Sequence, residues 1–301
     1  MKKHSFKEWL GATRFWSFPV STMPVLATAA FLFQSGALTG LWRNLLLLVL
    51  TLLGAVVLHS AGNALSDWFD YRKGVDSEKA YAVDSLVKKR FQPEEFMRFS
   101  ILLFVCGCAI GVALVLLCGL PVLWIGLAGA ALTALYSFLK YHALGDLDIF
   151  LIFGILIVAG TSAVFCGNVV WEAVLVLSIP IGIITVSVLH ANNTIDIETD
   201  REAGIKTLAM LLGPKTSVTL YQAYMVIPFL YVVAAVILGA IHPLSLLCLL
   251  AIVPAVGNIR HARKFYEGGL VALQSLDQET AKLQLMFSGL LSLGLFIGGL
   301  L

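Results

Sequence analysis

The sequence predicts an all-α integral membrane protein with nine transmembrane helices. Of its 301 residues, 59% are hydrophobic and 13% are charged, and the mean hydropathy is +0.92. Soluble domains contain roughly 45–50% apolar and about 25% charged residues. Apolar stretches of membrane-spanning length, roughly 17–25 residues, recur along the whole chain. These observations exclude an ordinary soluble domain.

The predicted spans follow from these apolar stretches, of which the eighth is the shortest. In chain order, we place them near residues 14–37, 42–66, 98–118, 121–139, 147–167, 172–194, 216–239, 243–258 and 283–301. The segment before the first span, MKKHSFKEWLGATRFWSFPV, is basic and aromatic and has no small-residue cleavage site. We therefore expect an interfacial segment that stays in the protein, and no cleaved signal peptide.

The positive charges predict the orientation. With nine spans, the N-terminus and the loops after spans 2, 4, 6 and 8 share one side, and this side holds every lysine and arginine except Arg43. Basic residues concentrate on the cytoplasmic side of membrane proteins. We expect the N-terminus and the active site to face the cytoplasm, in a bacterial inner (plasma) membrane.

The five cysteines all lie in apolar segments without metal-ligand spacing. They are typical of small, polarizable core residues, and we predict neither disulfides nor zinc.

Polar side chains recur at the cytoplasmic ends of two spans. Span 2 ends with Asn63, Asp67 and Asp70, and span 6 ends with Asn192, Asn193, Asp196 and Asp200. Residues three and four apart share a helix face, so each set forms one cluster, with either asparagine serving in the second. The match between two helix ends four spans apart predicts two four-helix halves that face each other, with the site at their interface.

Two carboxylate clusters that face each other in a low dielectric must either protonate or share a cation. Oxygen ligands of this kind suit Mg²⁺, which is commonly shared with substrate phosphates. Nearby basic residues lie on the same side: Arg72, Lys73, Lys140, Arg201 and Lys206. Together these features predict a site for a diphosphate that carries a long apolar tail, with the tail in the membrane.

The two segments NALSDWFDYRKGVD and NNTIDIETDREAGIKTLAMLLG resemble the two Asp-rich motifs of the UbiA superfamily of intramembrane aromatic prenyltransferases. The resemblance is strongest to the branch that prenylates 1,4-dihydroxy-2-naphthoate in menaquinone synthesis. Further similarity lies in YHALGDLDIFLIFG, IPIGIITVSVLHANN and ETAKLQLMFSGLL, so it covers nearly the whole chain.

The resemblance implies one transmembrane domain over residues 1–301, with nine helices around a central cavity and the two motifs capped by cytosolic loops. The pseudo-repeat halves would be about 14–139 and 147–258, followed by the last helix at 283–301. It implies two Mg²⁺ ions, a polyprenyl diphosphate donor and a naphthoate-like aromatic acceptor, in contact with the lipid bilayer. We expect no nucleic-acid partner.

The resemblance also implies roles for individual residues. Metal or metal-water ligands would be Asn63, Asp67, Asp70, Asn193, Asp196 and Asp200, of which the four aspartates are also counted as catalytic. Diphosphate contacts would be Arg72, Lys73, Lys140, Arg201 and Lys206. Tyr136 matches an aromatic position that shields the allylic cation, where a cation over the ring gains about 0.5–2 kcal/mol.

Two alternatives remain at this stage. Within the family, the acceptor could be a different aromatic compound or a lipid alcohol. Outside it, nine helices with an internal repeat would also suit a transporter, which predicts ionisable residues and broken helices near mid-membrane. The middle of every predicted span lacks Asp, Glu, Lys and Arg, and this favours the enzyme.

Overall fold

The computed structural model describes residues 4–38, 40–74, 86 and 91–301 of the chain. Within these ranges the protein is helical, and nine helices are long and apolar enough to cross a membrane. They are numbered here as spans 1 to 9: Phe15–Gln34, Leu41–Lys73, Pro93–Cys118, Leu120–Lys140, Gly145–Cys166, Trp171–Ile195, Pro214–Ile237, Pro243–Gly268 and Leu270–Gly298. The predicted fold class is confirmed.

Several spans change helix type along their length. Span 5 is α-helical over Gly145–Ile149, π-helical over Phe150–Leu156 and α-helical again over Ile157–Cys166. Span 8 begins with the 3₁₀ helix Pro243–Ala251. Span 7 consists of two α-helical parts, Pro214–Tyr224 and Ile227–Ile237.

Two spans extend beyond their predicted ends. Span 2 continues to Lys73, where Gly74 ends it in the left-handed region at φ +73°, so its polar cluster lies within the helix. Span 8 reaches Gly268 although we predicted its end near residue 258. In both cases polar residues continue a helix that hydropathy alone would stop.

The centre of the bundle is span 6, the most buried of the nine among the described residues. Leu177, Ile181 and Ile184 are fully buried there, and Phe287 and Leu291 of span 9 belong to the same core. Span 5 crosses span 6 closely, since Gly154 lies against Gly182 and the Phe150 ring covers the same glycine. Glycine at such a crossing lets two backbones approach.

One end of the bundle carries both polar motifs and is called the motif end below. The helix Phe6–Ala12, whose N-terminus is closed by a Ser5–Glu8 capping box, packs there through Trp9 against Phe91. The loop between spans 6 and 7 contains the short helices Ile197–Glu202 and Leu208–Leu212, as expected of an ordered cap. The corresponding prediction for the loop after span 2 falls on residues 75–85 and 87–90, which lie outside the described residues.

Candidate active site

The first motif lies on one face of span 2 near its end. Asp67 is buried, with 3% of its surface exposed, and its Oδ1 accepts a charge-assisted hydrogen bond from the Arg14 guanidinium. Asn63 donates through Nδ2 to the Thr13 carbonyl at 3.3 Å and to Ser17 Oγ at 3.2 Å. The segment before span 1 is therefore held over the first motif.

The backbone of Arg14 has an unusual conformation. Its φ is +54°, in the left-handed region that non-glycine residues occupy only rarely. A strained backbone conformation of this kind is kept only where surrounding contacts hold it in place, and such residues cluster at functional sites. Sequence reasoning counted Arg14 only as a topological charge, because nothing local indicates a partner 53 residues away.

Asp70 connects the first motif to the end of span 4. Lys140 Nζ lies 3.0 Å from its Oδ2, and the Tyr141 hydroxyl donates to Oδ1 at 2.6 Å. Ser66 Oγ also donates to Oδ2, at 3.4 Å. Asp70 is thus positioned from two helices and is only 4% exposed.

The second motif begins at the end of span 6. Asn192 donates to Asp196 Oδ2, and Asp200, on the short helix Ile197–Glu202, is buried. Asn193, the asparagine predicted as a metal ligand, is buried and donates to Asp146 Oδ1 at 3.4 Å. It is Asn192 whose amide contacts the motif aspartate.

The two motifs meet around Lys140. This ammonium group interacts electrostatically with Asp200 of the second motif as well as with Asp70 of the first. The backbone makes the same connection, since Lys206 N–H donates to the Tyr141 carbonyl at 3.1 Å and Ala143 N–H donates to the Lys206 carbonyl at 2.7 Å. The structure therefore brings together clusters that the sequence placed at two separate helix ends.

The other residues predicted to contact a diphosphate lie in different surroundings, two of them beside aromatic rings. The Arg72 guanidinium lies 5.0 Å from the centre of the Trp68 ring, and Lys73 Nζ lies 4.2 Å from that of Tyr141. The side chains of Arg201 and Lys206 are exposed at the motif end. Among the predicted basic residues, Lys140 interacts with an aspartate of each motif.

Tyr136 lies one turn before Lys140 on span 4 and is half-buried. It interacts electrostatically with Lys140, Asp70 and Arg14, so its ring is placed beside both the acidic and the basic groups of the site. This position is consistent with the predicted role beside a developing cation, which stays a prediction.

Behind Asn193 lies a buried polar network that sequence reasoning did not identify. Asp146 Oδ2 is 2.7 Å from His190 Nδ1, and His190 Nε2 is 3.0 Å from Ser217 Oγ. His190 is thus hydrogen-bonded through both of its ring nitrogens. The network ties spans 5, 6 and 7 together directly behind the second motif.

A cavity of about 270 Å³ lies below the first motif. Its wall comes from spans 1 to 5 and is almost entirely apolar. On span 2, the lining residue His59 is followed at four-residue steps by Asn63 and Asp67, so the face that lines the cavity continues into the motif. The geometry joins an apolar chamber to a charged mouth.

The donor groups fit divalent cations shared with a substrate. Among the described residues, no three His, Cys, Asp or Glu side chains come close enough to form a complete protein cage for a metal. Mg²⁺ typically keeps several waters and is held by one or two carboxylates plus substrate phosphates. Each motif offers two aspartates and an asparagine, which suits that mode of binding.

Comparison with known proteins shows similarity over most of the chain. The model of the UbiA prenyltransferase family matches residues 21–268. The chain is 34% identical over 300 residues to UbiA prenyltransferase domain-containing protein 1 of Mus musculus, covering 98% of this chain and 83% of that protein. It is 34% identical to the Homo sapiens protein of the same name, over 95% of this chain and 80% of that protein.

Two solved structures have the same fold. A UbiA homolog from Aeropyrum pernix K1 in its apo form superposes with a TM-score of 0.67 at 18% identity, covering 93% of this chain and 97% of that one. A UbiA homolog from Archaeoglobus fulgidus bound to GPP and Mg²⁺ superposes with a TM-score of 0.64 at 14% identity, covering 95% and 99%.

Proposed function

Because this chain belongs to the UbiA prenyltransferase family, we propose that it transfers a polyprenyl group from a prenyl diphosphate to an aromatic acceptor. The acceptor we propose is 1,4-dihydroxy-2-naphthoate, the substrate of the menaquinone branch that the motifs resemble. Another aromatic compound or a lipid acceptor is the alternative within the family. The family assignment favours an enzyme over a transporter.

One observation carries the proposal: the two acidic motifs converge on Lys140 directly above an apolar cavity. A prenyl diphosphate has the matching shape, with a multiply charged head and a hydrocarbon tail. Each buried CH₂ group contributes about 0.8 kcal/mol, so the tail belongs in the cavity and the membrane. The head then lies among the motif residues.

Residues of both motifs would hold the cations that accompany such a head. These are Asn63, Asp67 and Asp70 of span 2, with Asn193, Asp196 and Asp200 of the second motif. When bound, Mg²⁺ would neutralise the charge that develops on the leaving diphosphate. The family member from Archaeoglobus fulgidus, described as bound to GPP and Mg²⁺, supports this assignment, with two ions as the number we expect.

The protein's own residues then have distinct tasks in the reaction. The C1–O bond of the donor breaks, and its electron pair leaves with the diphosphate, whose charge Lys140 stabilises with Arg72, Lys73, Arg201 and Lys206. The Tyr136 ring shields the allylic cation from water. A ring carbon of the acceptor forms the new C–C bond, and the ring loses a proton, or CO₂, to restore aromaticity.

We further propose that the motif end faces the cytoplasm, in a bacterial inner membrane. This orientation puts the acidic motifs and nearly all basic residues on the cytoplasmic side, where a charged diphosphate head meets water. The support is the charge asymmetry of the loops.

Purified protein in detergent, incubated with Mg²⁺, prenyl diphosphates of several lengths and a panel of aromatic acceptors, provides the test. Mass spectrometry should detect prenylated naphthoate-derived product and released diphosphate. Product with another acceptor alone would replace the naphthoate proposal, and the absence of any prenylated product would contradict the proposed function.

A further inference from the structure

Span 5 contains a buried carboxyl group that the reaction outlined above does not use. Asp148 is 1% exposed, and both of its carboxyl oxygens are buried without a hydrogen-bond partner within the described part of the chain. Aspartate is almost never fully buried unless it is paired, and burying an unpaired polar group costs free energy. A carboxyl group that is buried without a hydrogen-bond partner points to a ligand that binds from outside the chain.

Asp148 lies close in sequence to the cavity wall. Asp146, two residues earlier, contacts His190 and Asn193 on span 6, and residues two apart in a helix face different directions. Ile152, one turn after Asp148, lines the cavity. Asp148 therefore lies one helical turn from a cavity-lining residue, on the side of the motif end.

Span 4 places Tyr136 at the same level. Tyr136 follows the cavity-lining residue Thr133 by three positions, and it interacts electrostatically with Asp148. Asp148 and Tyr136 are thus each about one helical turn from a cavity-lining residue on the side of the motifs, a region that we call the junction between the cavity and the motifs. That junction is where the acceptor ring has to meet C1 of the donor.

The chemistry of the two substrates decides which of them suits Asp148. A carboxyl group accepts hydrogen bonds through its oxygens, most strongly when it is ionised. The prenyl chain offers no donor, and the diphosphate is an anion that a carboxylate repels. A hydroxyl group of the acceptor supplies the hydrogen-bond donor that these oxygens lack.

We propose that Asp148 binds a ring hydroxyl of the aromatic acceptor, accepting its hydrogen bond at the junction between cavity and motifs. The proposal rests on the proposed function and makes it more specific, since it limits the acceptor to hydroxylated rings. Such a hydrogen bond is strongest when the carboxyl group is ionised. It also raises the electron density of the ring, which attack on an allylic cation requires.

The test uses Asp148→Asn and Asp148→Ile in the full-length protein, with Asp277→Asn as the matched control on span 9. KM and kcat are measured separately for the prenyl diphosphate and for 1,4-dihydroxy-2-naphthoate, and then with its O-methyl ethers. Both Asp148 variants should raise the KM for the dihydroxy acceptor by roughly 10-fold or more, as expected for a site built to bind a hydroxyl. The KM for the donor should stay within about 2-fold of wild type, a difference of under 0.5 kcal/mol.

A second readout separates substrate binding from structure. Wild-type protein should prefer the hydroxylated acceptor over its methyl ether, and both variants should lose that preference. Thermal unfolding in detergent should show Asp148→Ile at or above the wild-type midpoint, because the substitution removes an unpaired buried group. A lower midpoint with equal losses for both substrates would make Asp148 a structural residue and overturn the proposal.

The possible failures are distinguishable. Active wild-type protein whose acceptor KM and methyl-ether discrimination are unchanged in Asp148→Asn would overturn this inference alone. Wild-type protein that prenylates no aromatic acceptor would overturn the proposed function and this inference together.

Discussion

Asp67 and Asp70 are each buried with a basic partner from a different part of the chain. Arg14, just before span 1, pairs with Asp67, and Lys140, at the end of span 4, pairs with Asp70. A buried carboxylate requires such compensation. The same positive groups are available to a diphosphate, so the pairs stabilise the empty site and prepare it for an anionic substrate.

We predict that Asp67→Asn and Asp196→Asn each reduce turnover by about 100-fold or more. Even outer-shell partners of metal sites cost about 10–100-fold when they are removed, and these two residues are proposed as direct ligands. Initial rates from mass spectrometry provide the measurement. Glu172→Gln, at the opposite end of the bundle, is the control and should keep wild-type activity; comparable activity in Asp67→Asn would make this residue an ordinary structural acid.

The Lys140–Asp70 pair should contribute to both stability and donor binding. Its Lys140 side chain is 15% exposed, and removing one partner of a buried pair costs about 3–5 kcal/mol, so Lys140→Met should lose stability near the lower end of that range. It should also raise the KM for prenyl diphosphate. Unfolding midpoints and kinetics check both effects, with exposed Lys215→Met as the control.

The double variant Asp70→Asn/Lys140→Met separates these two contributions. It should recover much of the lost stability, since no uncompensated charge remains, and should still lack activity. Recovery of activity together with stability would show that the pair is purely structural.

The acidic residues of the site could be predicted from the sequence, but the residues that pair with them could not. The spacing of Asn63, Asp67 and Asp70 follows from helix geometry, which is local. The contacts of Arg14 and Tyr141 depend on how distant helices pack. Asp146 and Asp148 lay within a segment noted only for its resemblance, and burial distinguishes them only in three dimensions.

Among the elements, spans 5 and 6 show how small residues position the site. A Cβ atom at Gly182 would lie 2.7 Å from Cε2 of the Phe150 ring, closer than packed atoms allow, and a tight 3.1 Å from the Gly154 Cα. The π-helical segment Phe150–Leu156 carries both of these neighbours. The crossing sets the distance between Asp146 on span 5 and the second motif on span 6.

We predict that Gly182→Ala destabilises the protein by about 1–3 kcal/mol, the usual cost of overpacking. Gly257→Ala is the matched control, because nothing lies within 4 Å of a Cβ at that position and alanine favours a helix by about 1 kcal/mol. Thermal unfolding in detergent should move the two midpoints in opposite directions. Equal shifts would mean that the crossing of spans 5 and 6 is loosely packed.

The helices themselves were largely predictable from hydropathy, and their ends were less so. Spans 2 and 8 continue into polar sequence because that sequence packs against other parts of the motif end, as Asp70 does against Lys140 and Tyr141. The π-helical segment in span 5 has no sequence signal that hydrophobic periodicity could detect. Such features depend on tertiary contacts.

For the molecule as a whole, an apolar exterior and one charged end define the arrangement. Large exposed apolar side chains such as Leu116, Trp124 and Ile237 belong in lipid, while both acidic motifs lie at the same end. Sequence predicted this asymmetry through the distribution of charge along the loops. It could not show that the two motifs meet through Lys140 and the Tyr141–Lys206 backbone contacts.

Turnover should require a divalent cation. The four motif aspartates and a diphosphate together carry more negative charge than Arg14 and the five predicted diphosphate contacts can offset, so EDTA should abolish product formation and added Mg²⁺ or Mn²⁺ should restore it. Product analysis by mass spectrometry over a metal titration provides the check. Full activity in metal-free buffer would contradict the proposed role of the aspartates as ligands.

The central claim is that one prenyl diphosphate head is held by both motifs together, and a labelling experiment tests it most directly. Thr199→Cys, on the second motif in a cysteine-free background, is treated with a charged thiol reagent, with and without Mg²⁺ and a non-hydrolysable prenyl diphosphate. We predict labelling from the motif end only, protection by the diphosphate with Mg²⁺, and loss of that protection when Asp67→Ala is introduced in the first motif. Labelling that the diphosphate does not reduce, or protection that survives Asp67→Ala unchanged, would contradict a shared site.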